Sequence, residues 1–198
     1  MMTIFNKNLL SNRFLSFKCF EKTTLMTYNV IFEKSISIPL SVKSKLQNKR
    51  KLYVEQTVHL KNIPDETFLT ANSNSFEALI MTNNIANVNP ILPRGAIRPD
   101  EFYINIEKKM VFIIEKKTQN CIGSADEKIQ TAPFKKYVLS KKFKKGWTIF
   151  YIYCLSDRFL QYELEIKYLS MFDIPVFWGE EIYYKQKLTD FIEKKLKS

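Results

Sequence analysis

Two strand-like runs separated by a short charged turn constrain the fold most, because together they predict a β-hairpin in the middle of the chain. The first run spans residues 98–105, the turn residues 106–109 and the second run residues 110–117. Both runs are rich in β-branched and aromatic side chains, which favour the pleated surface of a strand. The second run is continuously apolar from residue 111 to 114. That pattern is typical of a strand covered on both faces of its sheet.

The end of the second run turns abruptly polar. Side chains alternate along a strand, so Glu115 and Lys117 share one face and Lys116 points to the other. Folding the hairpin brings Asp100 beside the first pair. Hard divalent cations such as Mg²⁺ bind carboxylate oxygens of this kind, and a bound metal activates water and screens phosphate charge. The spacing therefore predicts a magnesium site at the rim of a sheet.

Pro99-Asp100 followed by Glu115-Lys116-Lys117 resembles the signature of the PD-(D/E)xK nuclease superfamily, which includes many restriction endonucleases. Residues 123–131 are similar to the helix that follows the catalytic hairpin in some Type II restriction enzymes. The resemblance implies an α/β (α+β) fold, with a mixed β-sheet core flanked by helices. It also implies a single nuclease domain over residues 27–198. Residues 1–26 are expected to be a loosely packed N-terminal arm or a mis-assigned start.

The resemblance further implies a Mg²⁺-dependent, sequence-specific endonuclease of the Type II restriction class, which acts on double-stranded DNA. In such an enzyme Asp100 and Glu115 hold one or two metal ions, and the main-chain carbonyl of Lys116 adds a ligand. Lys117 orients or helps to deprotonate the attacking water and stabilises the developing charge. A helix before the hairpin often carries a further acid near the metal. Glu77 is that candidate, and it is equally consistent with an ordinary surface glutamate.

The charge of the chain indicates a polyanionic partner. There are 31 Lys and Arg against 20 Asp and Glu, a net charge of +11, and each phosphate neutralised by Lys or Arg releases a counterion. Frequent Lys, Asn, Ile and Phe also indicate an AT-rich genome, which explains part of the lysine content. A solvated basic face is the alternative. The candidate DNA contacts are Arg94, Arg98, Lys135, Lys141, Lys142, Lys144 and Lys145.

Several other classes of protein are disfavoured. Cys19, Cys121 and Cys154 are widely spaced and lack any zinc-binding pattern, so they are interpreted as reduced thiols of a cytosolic protein. The one histidine, His59, disfavours Ser–His and Cys–His mechanisms. No GxxxxGK[ST] phosphate loop occurs. No apolar stretch reaches the roughly 20 residues that span a bilayer, so no membrane partner is expected.

The rest of the chain predicts alternating elements. Residues 27–60 mix strand-like runs with a basic stretch at 43–51, which is equally consistent with a DNA-backbone contact and with a solvated turn. Asn74 or Ser75 is a candidate cap for a short helix around residues 76–81. A helix separates the hairpin from the strongest strand, residues 147–155, which favours a parallel crossover. The further predicted features are a capping box at Ser124 to Glu127, a helix restart at Pro133, a helix after Ser156 or Asp157, a strand at 174–178 and a basic amphipathic helix at 180–197 that includes Ile182.

Partners and alternatives follow from the size of the chain. Each small chain has one active site, so cutting both strands of a duplex implies a homodimer, or a heterodimer with a second nuclease subunit. The protein is expected in the bacterial cytoplasm. The alternatives with the same core are a DNA-repair nicking endonuclease, a Holliday-junction resolvase and a catalytically inactive nucleic-acid-binding protein. An unrelated basic surface or ribosome-associated protein would bind polyanions without metal dependence.

Overall fold

The computed structural model describes residues 36–47, 51–87, 97–118 and 125–198. The predicted N-terminal arm, Arg94 and Ser124 of the capping box lie outside these residues. Within them the strands are β1 Ser37–Gln47, β2 Lys51–Leu60, β3 Ile63–Ala71, β4 Glu101–Asn105, β5 Met110–Lys117, β6 Thr148–Leu155 and β7 Val176–Trp178. The helices are α1 Phe76–Thr82, α2 Ala125–Gln130, α3 Ala132–Lys142, α4 Glu163–Met171 and α5 Tyr184–Lys197, with 3₁₀ turns at Ser73–Ser75 and Asp157–Gln161.

All these strands form one mixed sheet whose spatial order follows the chain, from β1 to β7. Strands β1 to β5 pair antiparallel, and β5, β6 and β7 pair parallel. The predicted hairpin is confirmed, with Glu101 opposite Ile114 and Asn105 opposite Met110. The predicted parallel crossover is confirmed as well, with Glu115 opposite Tyr153. The structure is therefore a mixed α/β fold of the predicted class.

Helices cover the sheet on both sides. We call the side that packs against α1 to α4 the α1–α4 face, and the side that packs against α5 the α5 face. Strand β5 alternates between them, because Val111 and Ile113 are buried on the first face, whereas Phe112 and Ile114 are buried on the second. Burial of each such side chain stabilises the fold by about 1.5–3 kcal/mol. The continuously apolar run thus lies in a strand covered on both faces, as predicted.

Some local predictions are confirmed and others need correction. Helix α1 forms as expected. The side-chain cap, however, belongs to the 3₁₀ turn that precedes it, where Asn72 accepts a hydrogen bond from the Ser75 N–H at 3.0 Å. Ser75 itself makes no side-chain cap. The restart at Pro133 is confirmed, since α2 ends at Gln130 and α3 begins one residue before the proline.

The two ends of the described chain also depart from the pattern. The basic stretch is not a single turn, because Lys43 and Lys45 belong to β1 and pair with β2. Ile182 precedes α5 and is 89% exposed, so it is not part of the apolar stripe of that helix.

No helix in the described part of the chain is long and apolar enough to cross a membrane.

Candidate active site

The end of the β4–β5 hairpin brings three predicted side chains together. Asp100 immediately precedes β4, while Glu115 and Lys117 lie at the end of β5. The Lys117 Nζ atom is 3.0 Å from Asp100 Oδ2 and 2.8 Å from Glu115 Oε2. The Glu115 side chain is buried at 4% exposure, whereas the Asp100 side chain is 42% exposed. The cluster therefore has an inner carboxylate, an outer carboxylate and an ammonium between them.

Main-chain atoms of Lys116 complete the cluster. Its carbonyl oxygen accepts a hydrogen bond from Lys117 Nζ at 3.2 Å. Its N–H donates to Asp100 Oδ2 at 2.9 Å, which fixes the outer carboxylate against the strand. One positive nitrogen is thus surrounded by three oxygens, two from carboxylates and one from a carbonyl.

These three oxygens fit a magnesium ion in their chemistry. Carboxylates and main-chain carbonyls are hard oxygen donors, and Mg²⁺ usually binds one or two protein carboxylates and keeps several waters. In this structure the Lys117 ammonium supplies the positive charge among the donors. Among the described residues no group of three or more His, Cys, Asp and Glu side chains is placed to hold a metal. A metal held here would therefore take its side-chain ligands from the Asp100 and Glu115 pair alone.

The electrostatics of the cluster keep Lys117 charged. Burial alone would lower the pKa of its ammonium, but the charges and hydrogen bonds of Glu115 and Asp100 together raise that pKa above the ordinary lysine value. A lysine in this state donates hydrogen bonds and does not accept a proton near neutral pH. The arrangement thus suits Lys117 to positioning and to charge stabilisation.

Two tyrosines behind Glu115 were not identified from the sequence. Tyr153 lies directly opposite Glu115 in the parallel register, and Tyr151 packs against it edge to face at 5.7 Å between ring centroids. Burial raises the pKa of both hydroxyls, and the negative charge of Glu115 raises it further. Both phenols therefore stay protonated beside the buried carboxylate. The signal that would have found them is side-chain alternation on β6 combined with its parallel pairing to β5.

Lys142 occupies a different place from the one that the sequence suggested, and its partner there is Glu77. The Lys142 ammonium is buried and forms an ion pair with Glu77. It also donates to the Ile97 carbonyl at 3.3 Å and lies 5.8 Å from the centre of the Phe76 ring. Lys142 is therefore not available to a DNA phosphate, and we remove it from the predicted contacts. The Glu77 carboxylate is engaged by this lysine and forms no three-carboxylate group with Asp100 and Glu115.

The other candidate DNA contacts among the described residues lie at the surface. Arg98 is exposed and donates to Asn74 Oδ1 at 2.7 Å. Lys144 donates to Asn84 Oδ1 at 2.6 Å. Lys141 is exposed, with its ammonium 4.9 Å from the centre of the Tyr137 ring. Two further lysines of this set are placed by the structure without such a contact, Lys145 being exposed and Lys135 half-buried.

A second charged cluster lies on the α5 face of the same hairpin. Lys116 forms an ion pair with Glu101, whose carboxylate also accepts a hydrogen bond from the Tyr103 hydroxyl. Cys154 is buried nearby. Burial raises the pKa of its thiol to about 12, with the charge of Lys116 acting in the opposite direction and that of Glu101 adding to the effect of burial. The two adjacent lysines therefore point to opposite faces of the sheet, as strand alternation predicts.

Comparison with known proteins identifies no relative of this chain. No protein-family model matches the chain, and neither a curated protein nor a solved structure matches it. The functional proposal for this protein therefore depends on the geometry at the end of β5 and on the sequence resemblance.

Proposed function

We propose that this protein is a Mg²⁺-dependent endonuclease that hydrolyses phosphodiester bonds in double-stranded DNA, with a site of the PD-(D/E)xK type. The observation that carries the proposal is the position of Lys117, whose ammonium lies within 3.0 Å of both the Asp100 and the Glu115 carboxylates. The cluster has one positive and two negative charges. A net negative cluster at the ends of two neighbouring strands attracts a further cation, which is what a metal-dependent site requires.

The burial of Glu115 supports a functional role. Its carboxylate is 4% exposed and directly follows the apolar run of residues 111–114, and removing an ionised carboxylate from water is unfavourable unless it is paired, as it is here with Lys117. Buried ionisable groups that have a specific charge partner are frequent at functional sites, where their chemistry is needed.

Each residue of the cluster has a distinct role in the proposal. Asp100, Glu115 and the Lys116 carbonyl would hold the metal, which when bound supplies an activated water and screens the phosphate charge. Lys117 donates hydrogen bonds to the attacking water and to the reacting phosphate, where negative charge develops. The 5′-phosphate product is what the PD-(D/E)xK resemblance implies. Tyr153 and Tyr151, on the neighbouring strand β6, limit the movement of Glu115.

One observation favours a rival. The Lys117 ammonium already satisfies both carboxylates without a metal, so the same cluster would be stable in a nucleic-acid-binding protein that has no catalytic activity. This rival predicts DNA binding that EDTA does not change and no cleavage at any Mg²⁺ concentration. Within the enzyme class, a repair nicking enzyme would leave nicked circles, and a junction resolvase would prefer a four-way junction to a plain duplex.

The deciding experiment incubates the full chain with supercoiled plasmid, linear duplex and a synthetic four-way junction, in Mg²⁺ or in EDTA. The variants are Asp100→Asn and Glu115→Gln, which keep size and hydrogen-bonding capacity. Glu101→Gln is the matched control, because it neutralises the neighbouring carboxylate on the α5 face. We expect Mg²⁺-dependent cleavage of duplex DNA by the wild type and the control, and none by the two site variants.

Circular dichroism must show that each variant is folded. Undiminished cleavage by folded Glu115→Gln would exclude the proposed site. Equal loss in Glu101→Gln would also contradict it, because the effect would then not be specific to the α1–α4 face.

A further inference from the structure

We propose that the exposed apolar surface of α4, together with the neighbouring face of α3, is the contact through which two copies of this chain form a dimer. We call this surface the α4 patch. Its members are large apolar side chains that line two adjoining grooves and are each between 38% and 79% exposed: Tyr137, Leu164, Tyr168, Met171 and Phe172. Dimerisation through the patch does not depend on the chemistry at the end of β5.

The patch is continuous across the two helices. Leu164, Tyr168 and Met171 line one surface groove of about 440 Å³. Tyr137, Met171 and Phe172 line an adjacent groove of about 600 Å³. Met171 belongs to both grooves, and the rings of Tyr168 and Phe172 pack 4.9 Å apart. The grooves therefore form one surface.

Helix α4 has apolar side chains on two sides, and only one of them faces the core. Leu169 is buried on the α1–α4 face. Leu164, Tyr168 and Met171 recur at helical spacing on another side, where Leu164 is 77% and Met171 is 79% exposed. A single exposed leucine is normal, but a contiguous apolar stripe of this size marks an interaction site.

The area of the patch matches what a stable dimer needs. The exposed fractions of its members amount to about three fully exposed large side chains, which is about 600 Å² at roughly 200 Å² for each aromatic-sized residue. Stable protein–protein interfaces begin at a total of about 1,200 Å², or about 600 Å² on each partner. The patch is thus large enough to form an interface without recruiting another surface.

Composition and charge favour a second copy as the occupant. Aromatic residues and Met, which are enriched in interface cores, make up most of the patch. The charges that line the two grooves have both signs, with Glu165 and Lys167 in the first groove and Lys136 and Asp173 in the second. In a twofold interface the same surface of each copy faces the other, so a surface with both signs can place opposite charges against each other. The two carboxylates oppose a nucleic acid at the same place.

Another apolar strip offers a useful contrast. The outer strand β1 exposes Ile38, Leu40 and Val42. This strip is aliphatic and narrow, and it lacks the aromatic side chains that dominate interface hot spots. We therefore assign the dimer contact to the α4 patch rather than to β1.

The test measures the mass of the full chain by sedimentation and light scattering over a wide concentration range. We expect a dimer for the wild type. Leu164→Glu and Met171→Glu should each raise the dimer dissociation constant by at least about tenfold, because they place a charge in the interface core. The matched controls are Leu40→Glu on β1 and Met81→Glu on α1, since Leu40 is 50% and Met81 is 63% exposed outside the patch. Both controls should dimerise like the wild type.

Three results would overturn the inference: a wild type that is monomeric at every concentration, a dimer that persists in the folded double variant Leu164→Glu/Met171→Glu, or a dimer that Leu40→Glu dissociates. Because the readout is mass, a protein that dimerises through the patch but does not cut DNA keeps this inference and fails the proposed function. If both hold, the folded monomeric variant should convert supercoiled plasmid to nicked circles more than to linear DNA.

Discussion

Lys116 and Lys117 are neighbours in the chain, but the two faces of β5 give them different surroundings. On the α1–α4 face Lys117 lies between Asp100 and Glu115, so the cluster has two negative charges and one positive charge. On the α5 face Lys116 forms an ion pair with Glu101. The first cluster carries a net negative charge, whereas the second is neutral. The two lysines are therefore distinguished by the number of carboxylates beside them, which is two for Lys117 and one for Lys116.

The largest expected effect separates the two lysines directly. Lys117→Ala should reduce DNA cleavage by about 10²–10³-fold, because it removes both the positioning of water and the stabilisation of developing charge. Lys116→Ala should keep most of the activity, since its proposed metal contact comes from the main chain. Single-turnover cleavage rates in Mg²⁺ measure both variants. If Lys116→Ala were inactive and Lys117→Ala active, the assignment of the faces would be wrong.

The next effect concerns the binding of Mg²⁺ itself and needs no DNA. At a Mg²⁺ concentration 100 times its dissociation constant, a ligand of the native state stabilises it by about 2.7 kcal/mol, or roughly 5–10 °C in Tm for a chain of this size. We expect this shift in the wild type and in Glu101→Gln, and not in Glu115→Gln. Scanning calorimetry with and without Mg²⁺ measures it. A shift that survives in Glu115→Gln would place the ion elsewhere.

A smaller effect distinguishes the lysines of α3 and the turn after it by their surroundings. Replacing Lys141, Lys144 and Lys145 by Gln should reduce the slope of log K against log salt by about 0.9 for each phosphate that is no longer neutralised. Lys142→Gln should leave the slope unchanged and lower the free energy of unfolding by about 1–3 kcal/mol, because Glu77 loses its buried partner. DNA-binding titrations and urea denaturation measure the two quantities. An unchanged slope in the triple variant would mean that these lysines form only a solvated face.

The last prediction concerns the α5 face and does not involve DNA or a metal. With a thiol pKa of about 12, only about one Cys154 in 10⁴ is a thiolate at pH 8, and the thiolate is the reactive form. Iodoacetamide should therefore label Cys154 about a thousandfold more slowly in the folded chain than in urea. Peptide mass spectrometry distinguishes Cys154 from the other cysteines. Rapid labelling of the native protein would show that the α5 face is open.

The hairpin and the opposite orientations of Lys116 and Lys117 were predictable because they depend on side-chain alternation within a short segment. The parallel pairing of β5 with β6 was predictable from the helix between them. Long-range partners were not. Nothing near Lys142 indicates that Glu77, 65 residues away, would draw it into the interior. Tyr153 became visible as a neighbour of Glu115 only when the register of two distant strands was known.

The agreement between strand order and chain order has a consequence for synthesis of the protein. Each strand pairs with the one that precedes it in the chain, so no strand has to insert between two that are already paired. The sheet can therefore grow from its N-terminal side as the chain leaves the ribosome, because each strand is made after the neighbour with which it pairs. Asp100, Glu115 and Lys117 all belong to one hairpin, so they can meet before β6 and β7 have been made. Strand β7 is the last of these strands to be made, so the open edge of β6 stays unprotected until then.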